Sequence, residues 1–271
     1  MPELPEVEFT RRQICTWVAG QRLTQIALGT HSLAKDEDVL EAVSPLLGRR
    51  LDLVERCGKY LFLGFEGRWA CSHLAMTGKW LPERRVGERE RFVRFQLHFE
   101  HEVLAFIDTR KFGRLDVLGA LHWREWLGEK RVGPDVFDLE LTFDGLHRRF
   151  SKTQRTIKSV LLDQKVLAGV GNIYACDALF IAGISPTERA CDLPAEATER
   201  LLEAVRYVMK LSLEREEGDE IHYLTEGNPE NPFLVYGRKA QPCTRCGSQI
   251  TRIVQQARST FFCSQCQPAI V

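Results

Sequence analysis

The sequence predicts an α+β protein: an N-terminal β-sandwich with flanking helices, a helical middle, and a C-terminal β-hairpin bearing four cysteines. Three observations support this prediction. Before about residue 120, apolar and polar residues alternate in short runs, as in half-buried strands. Beyond it, apolar residues recur every three to four positions, as in helices. The last 36 residues contain two Cys-x2-Cys pairs.

Length, composition and charge limit the number of domains and the kinds of partner that the chain can have. A length of 271 residues suits two modules around separate cores. Lys+Arg and Asp+Glu each total 37, so the net charge does not point to a nucleic-acid partner. The charges are segregated, however: residues 236–271 hold five Lys/Arg and no acid, while residues 214–230 hold seven acids and one Arg. With no apolar leader and no 18-residue apolar run, we expect a cytosolic protein that makes no membrane contact.

The first helix is predicted over residues 5–19, because Val7, Ile14 and Val18 share a face and Gly20 ends the run. Short strands are then predicted at residues 23–28, 51–54, 60–63 and 93–99.

The N-terminus itself offers a nucleophile. Removal of the initiator Met would make Pro2 the first residue, and an α-amino group titrates near ~8 rather than the ~10.4 of Lys. A secondary amine that condenses with a sugar aldehyde gives an iminium, which draws electrons from the neighbouring carbon and makes elimination easier. Glu3 would lie beside that centre as an acid or base.

Two stretches after predicted strands, residues 71–78 and 107–113, are expected to be exposed loops because each ends in glycine. They carry Met76, Arg110 and Phe112. A protein that extrudes a base from a duplex needs an apolar wedge and a donor for the orphaned partner base. These residue types fit that requirement.

A basic run over residues 148–158 is typical of a solvated helix face. It precedes Gly169-Val-Gly-Asn172, where two glycines permit close backbone approach and Asn172 can open the next helix. This arrangement favours the binding of a phosphate group. Dinucleotide binding is disfavoured because no parallel strand precedes the glycines.

The cysteine pairs are spaced as zinc ligands: Cys243, Cys246, Cys263 and Cys266. Four thiolates saturate a tetrahedral zinc, so the ion would be structural. The two strands of a hairpin are predicted at residues 249–254 and 258–262, with Arg258 near the tip. The other five cysteines are interpreted as reduced, small apolar residues.

Taken in order, these motifs resemble the formamidopyrimidine-DNA glycosylases (Fpg/MutM) of the Fpg/Nei family, most densely at residues 1–12, 157–186 and 233–267. The resemblance implies a base-excision-repair glycosylase and abasic-site lyase. It would act as a monomer on double-stranded damaged DNA and excise oxidised purines. It implies a catalytic β-sandwich (1–119), a linker (120–134), a helix-two-turns-helix domain (135–235) and a zinc finger (236–271).

The resemblance also implies residue roles. Pro2 attacks the deoxyribose C1′, Glu3 acts as acid and base, and Glu6 orders the site. Lys59, in a Gly-Lys-Tyr segment, assists at the sugar or phosphate, and Arg258 serves as a possible acid in the second elimination. Contacts to phosphates or to the partner base are implied for His73, Met76, Arg91, Arg110, Phe112, Asn172, Tyr236 and Arg258.

This chain departs from the family pattern at Ala75 (usually Gly), at Asp177 (usually Glu) and in the acidic segment 214–230, which contains His222 and Tyr223. That segment replaces a glycine-rich loop that closes over the everted base. We therefore expect a broadened lesion range with a weaker preference for 8-oxoguanine.

Two alternatives stay open. One is an endonuclease VIII-like glycosylase for oxidised pyrimidines, disfavoured by Leu4 and by the three loop residues. The other is a non-catalytic zinc-finger protein that binds damaged DNA, disfavoured by Pro2, Glu3 and Lys59.

Overall fold

The computed structural model describes residues 2–29, 32, 34–215 and 231–268. Most of the acidic segment, including His222 and Tyr223, lies outside the described residues. The chain divides into two units at Arg131 and Val132. That division falls inside the predicted linker 120–134, which also contains a helix. The four-part domain division stays a prediction.

Eight strands build the first unit: β1 (Leu23–Leu28), β2 (Leu51–Cys57), β3 (Tyr60–Phe65), β4 (Arg68–His73), β5 (Lys79–Pro82), β6 (Val93–Phe99), β7 (Val103–Ile107) and β8 (Arg114–Val117). They form two antiparallel sheets, ordered β1-β6-β7-β5 and β2-β3-β4-β8. The inner faces meet where the Phe65 and Phe99 rings stack, 6.4 Å apart at their centroids. The Trp80 indole of β5 donates to Ser72 Oγ of β4 at 3.0 Å. The predicted β-sandwich is confirmed.

Two local predictions for these strands were wrong. Residues 71–73 end β4 instead of belonging to an exposed loop, because they pair with residues 60–62 of β3; the loop begins at Leu74. Arg94, on the predicted polar face of β6, is only 2% exposed. Its Nη1 lies 3.9 Å from the buried Asp108 carboxylate. An internal anion makes the burial of a guanidinium tolerable.

Three helices accompany the sheets: α1 (Leu4–Val18), α2 (Ala34–Val43) and α3 (Trp123–Glu129). The first confirms the helix predicted over residues 5–19. Its apolar face, including Val7 and Ile14, is fully buried, and the helix packs against β2. The chain then turns at Gly20, whose φ of +82° suits glycine.

The second unit is helical, as predicted, and contains α4 (Phe143–Phe150), α5 (Ile157–Leu161), α6 (Asn172–Ala182), α7 (Ala195–Arg215) and the hairpin strands β9 (Thr251–Gln255) and β10 (Arg258–Phe262). Helix α6 packs against both α7 and β10. Phe180 of α6 shares a buried cluster with Ile250 and Phe261 of the finger. The finger therefore has a common core with the helix. Within the described ranges, no helix has both the length and the apolar character to cross a membrane.

Candidate active site and nucleic-acid interface

The first group of site residues lies at the start of α1. Pro2 is buried directly before the helix, and Glu3, 1% exposed, is its N-cap residue. The Glu3 N–H donates to Glu6 Oε2 at 2.7 Å. In return, the Glu3 carboxylate accepts the Glu6 N–H, which completes a capping box. Two carboxylates are thus held within one helical turn of Pro2, where each can exchange a proton with a bound group.

Glu8 ties this helix to the neighbouring sheet. Its carboxylate pairs with Arg11 at 3.0 Å and with Arg56 of β2 at 3.1 Å. Burial raises the pKa of Glu8, but the hydrogen bonds from Arg11 and Arg12 and the charges of Arg11 and Arg56 outweigh it and lower the pKa from its ordinary value. Strand β2 leads into a two-residue turn, Gly58-Lys59, in which Gly58 has a φ of +56°. The half-buried Lys59 is therefore carried on a strand anchored to α1.

His73 ends β4, opposite Tyr60. Its Nδ1 accepts the Ala75 N–H at 3.1 Å, which assigns the proton of the neutral ring to Nε2. Burial, followed by the charges of Lys59 and Arg114, lowers the pKa of His73 from 6.5 to about 4. At neutral pH His73 is therefore an uncharged donor, which suits a phosphate oxygen.

Lys59→Met is expected to raise the pKa of His73 above about 4, because the Lys59 ammonium disfavours a second positive charge nearby. The pKa should stay below 6.5, since burial is the larger cause.

The lowered pKa of His73 also makes the stability of the wild-type protein depend on pH. Because the folded pKa lies below the unfolded one, protonation of His73 lowers the stability of the wild-type fold as the pH falls from 6.5 towards 4.

NMR titration of the His73 ring protons measures this change. Lys152→Met, at an exposed position in the second unit, is the control. An unchanged His73 pKa in Lys59→Met would show that the Lys59 charge does not act on the ring.

Asp108 joins the two loops that follow β4 and β7. Fully buried, it accepts hydrogen bonds from Thr77 Oγ1 at 2.5 Å and from the Gly113 N–H at 2.7 Å. It also accepts the Arg110 N–H at 3.1 Å. Gly113 has to be glycine, because a Cβ there would lie 2.5 Å from the Phe106 ring. Loops 74–78 and 108–113 are consequently held as one surface.

This joint surface presents the three predicted loop side chains. Met76 is half-buried, Arg110 is exposed, and Phe112 is 56% exposed. The Arg110 Cζ lies 5.3 Å from the Phe112 ring centroid, at cation–π distance. An exposed ring next to a guanidinium has the form of a wedge with a donor beside it. Arg91, in the stretch before β6, is also exposed.

Lys158 connects α5 to α6 and the hairpin. Although it belongs to a run typical of a solvated face, it is 1% exposed. Its Nζ donates to Asn172 Oδ1 at 2.7 Å, to the Ser259 carbonyl at 3.1 Å and to Thr260 Oγ1 at 2.6 Å. The strand is therefore fixed directly after Arg258, which is exposed at the start of β10.

Asn172 begins α6, as predicted, but its side chain does not cap the helix; the N-cap residue is Gly171. Instead, Asn172 Nδ2 donates to the Ser259 carbonyl at 2.9 Å. That bond uses one of the two amide hydrogens, so the second can serve a phosphate.

Tyr236 is half-buried against Phe261, with ring centroids 5.2 Å apart. Its segment is held by Asp177, whose buried carboxylate accepts the backbone N–H groups of Leu234, Val235 and Tyr236 at 2.7, 3.0 and 3.1 Å. Burial raises the pKa of Asp177, although the three N–H groups act to lower it. Although the side chain of Asp177 is one methylene shorter than that of glutamate, its carboxylate thus binds three consecutive backbone N–H groups.

The four cysteines converge as a metal centre. Their sulfur atoms all lie within 4.8 Å of one another. Cys243 and Cys266 are 3.9 Å apart at sulfur, and Cys246 and Cys263 are 3.5 Å apart. Zn–S bonds of about 2.3 Å in a tetrahedron place sulfurs about 3.8 Å apart, so the donor set fits one zinc ion. Such an ion cross-links the two ends of the finger.

Glu8, Asp108 and Lys158 each hold predicted site residues in place within their own unit, yet sequence reasoning did not single them out. A charged residue inside or directly beside an apolar stretch was the available signal. Asp108 follows the buried strand β7, and Lys158 stands among the buried residues of α5.

Three family models match the chain. Residues 1–115 match the formamidopyrimidine-DNA glycosylase N-terminal domain, and residues 132–222 match its H2TH domain. Residues 240–269 match the zinc finger found in FPG and IleRS.

Relatives and solved structures agree. A formamidopyrimidine-DNA glycosylase of Bacillus cereus is 35% identical over 277 residues, covering 100% of both chains. One from Desulfitobacterium hafniense is 33% identical and covers 98% of this chain and 100% of its own. MutM (Fpg) from Thermus thermophilus has a TM-score of 0.82 at 34% identity, over 100% of both chains. Lactococcus lactis Fpg bound to AP-site DNA has a TM-score of 0.85 at 27% identity, over 98% and 99%. The chain therefore belongs to the formamidopyrimidine-DNA glycosylase family of DNA repair enzymes.

Proposed function

We propose that this enzyme is a bifunctional glycosylase and abasic-site lyase with Pro2 as its nucleophile. The observation that carries the proposal is the buried carboxylate pair, Glu3 and Glu6, held within one turn of Pro2. Helix N-caps are usually Ser, Thr, Asp or Asn. A glutamate in this position keeps a proton-exchanging group next to the amine, which DNA binding alone does not require.

In the proposed reaction, the neutral Pro2 amine bonds to C1′ of the damaged nucleotide while the bond from C1′ to the base breaks. Glu3 accepts a proton from the amine and donates a proton to the departing nucleobase. The sugar ring then opens: the C1′–O4′ bond breaks, O4′ takes up a proton, and C1′ forms the iminium with the Pro2 nitrogen. Loss of a C2′ proton from this iminium breaks the C3′–O bond, and loss of the C4′ proton then breaks the C5′–O bond. Water releases the sugar fragment and restores Pro2, leaving a one-nucleotide gap. Lys59 polarises the sugar or phosphate, and Arg258 supplies an acid for the second elimination.

Borohydride trapping on an abasic duplex tests this proposal. Reduction of the iminium should leave a covalent adduct between chain and DNA. A non-catalytic zinc-finger protein would bind the duplex without an adduct, and that result would contradict the proposal. An endonuclease VIII-like enzyme would form the adduct but excise oxidised pyrimidines faster than oxidised purines.

The substrate class we propose is oxidised purines, including formamidopyrimidine and 8-oxoguanine. Support comes from a Lactococcus lactis Fpg solved with DNA containing N7-benzyl-Fapy-dG, 28% identical with a TM-score of 0.85. The acidic segment 214–230 favours formamidopyrimidines and abasic sites over 8-oxoguanine. Single-turnover rates on matched duplexes measure this order, and a strong preference for 8-oxoguanine would contradict it.

We further propose that the enzyme acts as a monomer on duplex DNA, with the domain division 1–119, 120–134, 135–235 and 236–271. The contacts to DNA are assigned to His73, Met76, Arg91, Arg110, Phe112, Asn172, Tyr236 and Arg258. Most of these side chains offer donors to phosphate oxygens, and phosphate contacts position a protein on a duplex without reading its sequence.

Arg110→Ala should reduce discrimination between partner bases by about tenfold, while affinity changes less, because a guanidinium reads base edges with about 1–3 kcal/mol of preference. The loop should persist, since Arg110 is held through its backbone N–H. Excision rates opposite each of the four bases measure the effect, with the exposed Arg124→Ala as control. An equal loss opposite every base would refute this role.

A further inference from the structure

A pocket of about 590 Å³ lies on one face of the β2-β3-β4-β8 sheet. Strand pairing sets its floor. Tyr60 pairs with His73 and His73 with Arg114, which makes one row across three strands. Cys71 and Asp116 pair in the next row. Residues two apart along a strand share a face, so both rows point into the same space.

Helix α3 covers β3 and the Trp69 end of β4 on this face, where the Trp123 ring lies 5.2 Å from Phe62 and 6.3 Å from Trp69, between centroids. The Trp126 ring lies 5.3 Å from Tyr60 and 5.7 Å from Phe62, between centroids. The Lys130 Nζ lies 5.6 Å from the Trp126 centroid. Beside this aromatic wall the pocket is lined by His73 and Cys71 of β4 and by Arg114 and Asp116 of β8, and Leu118 and Leu121 add apolar lining.

Three charged side chains line the pocket: Arg114, Asp116 and Lys130. All three are exposed, and none forms an ion pair with another residue in the described part of the chain. His73 is uncharged at neutral pH, since its pKa is about 4. Among the described residues, the lining therefore carries one net positive charge together with a ring donor.

We infer that this pocket binds a single nucleotide, with its base against Trp126 and its phosphate at Arg114 and Lys130. Bases stack on aromatic side chains, and Arg and Lys are the usual partners of phosphate. The volume falls within the range of small-molecule sites. Asp116 can accept a hydrogen bond from a base amino group. Two sources share this chemistry: a free nucleotide, or a phosphorylated strand end. The second rests on the proposed function, whose reaction leaves such ends.

The test uses the full chain with ¹⁵N-labelled tryptophan, which gives five indole signals. Trp126→Leu identifies the Trp126 signal. Deoxyguanosine 5′-monophosphate should shift that signal saturably, and deoxyguanosine or inorganic phosphate should bind at least about tenfold more weakly because each keeps only half of the contacts. Lys130→Gln should also weaken nucleotide binding about tenfold.

Arg124→Gln is the matched control, because Arg124 is on the same helix with its Cζ 5.0 Å from the Trp123 ring but does not line the pocket. A gapped duplex with phosphate ends, compared with one with hydroxyl ends, distinguishes a strand end from a free nucleotide. Absence of any Trp126 response to nucleotide and gapped duplex, or equal responses in Lys130→Gln and wild type, would overturn the inference.

Trapping on an abasic duplex, measured in parallel, separates the two proposals. Adduct formation with a silent Trp126 signal would contradict only the pocket. Saturable nucleotide binding without an adduct would support the pocket and contradict the proposed reaction.

Discussion

Pro2→Gly is expected to keep DNA binding while losing glycosylase and lyase activity by about two orders of magnitude or more, the scale at which catalytic groups act. With glycine, the N-terminal nitrogen is a primary amine, and the ring that holds the nitrogen of proline in position is absent. DNA affinity should persist because the proposed phosphate contacts lie elsewhere, at residues such as His73 and Asn172. The helix should also persist, because the Glu3–Glu6 capping box does not use the proline side chain.

Rates of base excision and of borohydride trapping measure the loss, and gel shift of a non-cleavable abasic analogue measures binding. A chain whose N-terminus is permanently blocked is the stricter variant, since no amine is left to attack. Full trapping by the blocked chain would exclude Pro2 as the nucleophile. Pro194→Gly, in the second unit before α7, is the matched proline control and should trap normally.

Cys246→Ser is expected to release the metal and unfold the finger. Zinc binding and folding of such a site are one process, with binding free energies of about 10–16 kcal/mol in small fingers, so loss of one thiolate removes most of the stabilisation. The hairpin that carries Arg258 should then lose its order. DNA affinity should fall about tenfold or more, because the phosphate contact assigned to Arg258 goes with it.

Metal analysis and binding assays check this result, with the half-buried Cys191→Ser as the cysteine control. The first unit should keep its β-sheet signal, because its two sheets contain no residue of the finger. About one zinc per chain in Cys246→Ser, or none in the wild type, would contradict the metal assignment.

Local sequence pattern was sufficient for the elements that depend on local physics. The apolar face of α1, the strand β6 and the cluster of Cys243 to Cys266 were each predicted, since helix period, strand period and ligand spacing are encoded by neighbouring residues. The roles of individual residues came from the family resemblance, because hydrophobic periodicity does not indicate them.

Only the tertiary structure decided which charged residues are buried and what they hold. Lys158 reaches Ser259 about a hundred positions later in the chain, and Arg94 and Asp108 meet inside the sandwich. The row Tyr60, His73 and Arg114 likewise depends on the order in which strands pair. These contacts join residues far apart in sequence. The physical reason is that burial of a charge becomes tolerable only when distant groups supply its partners, and a local pattern carries no record of those groups.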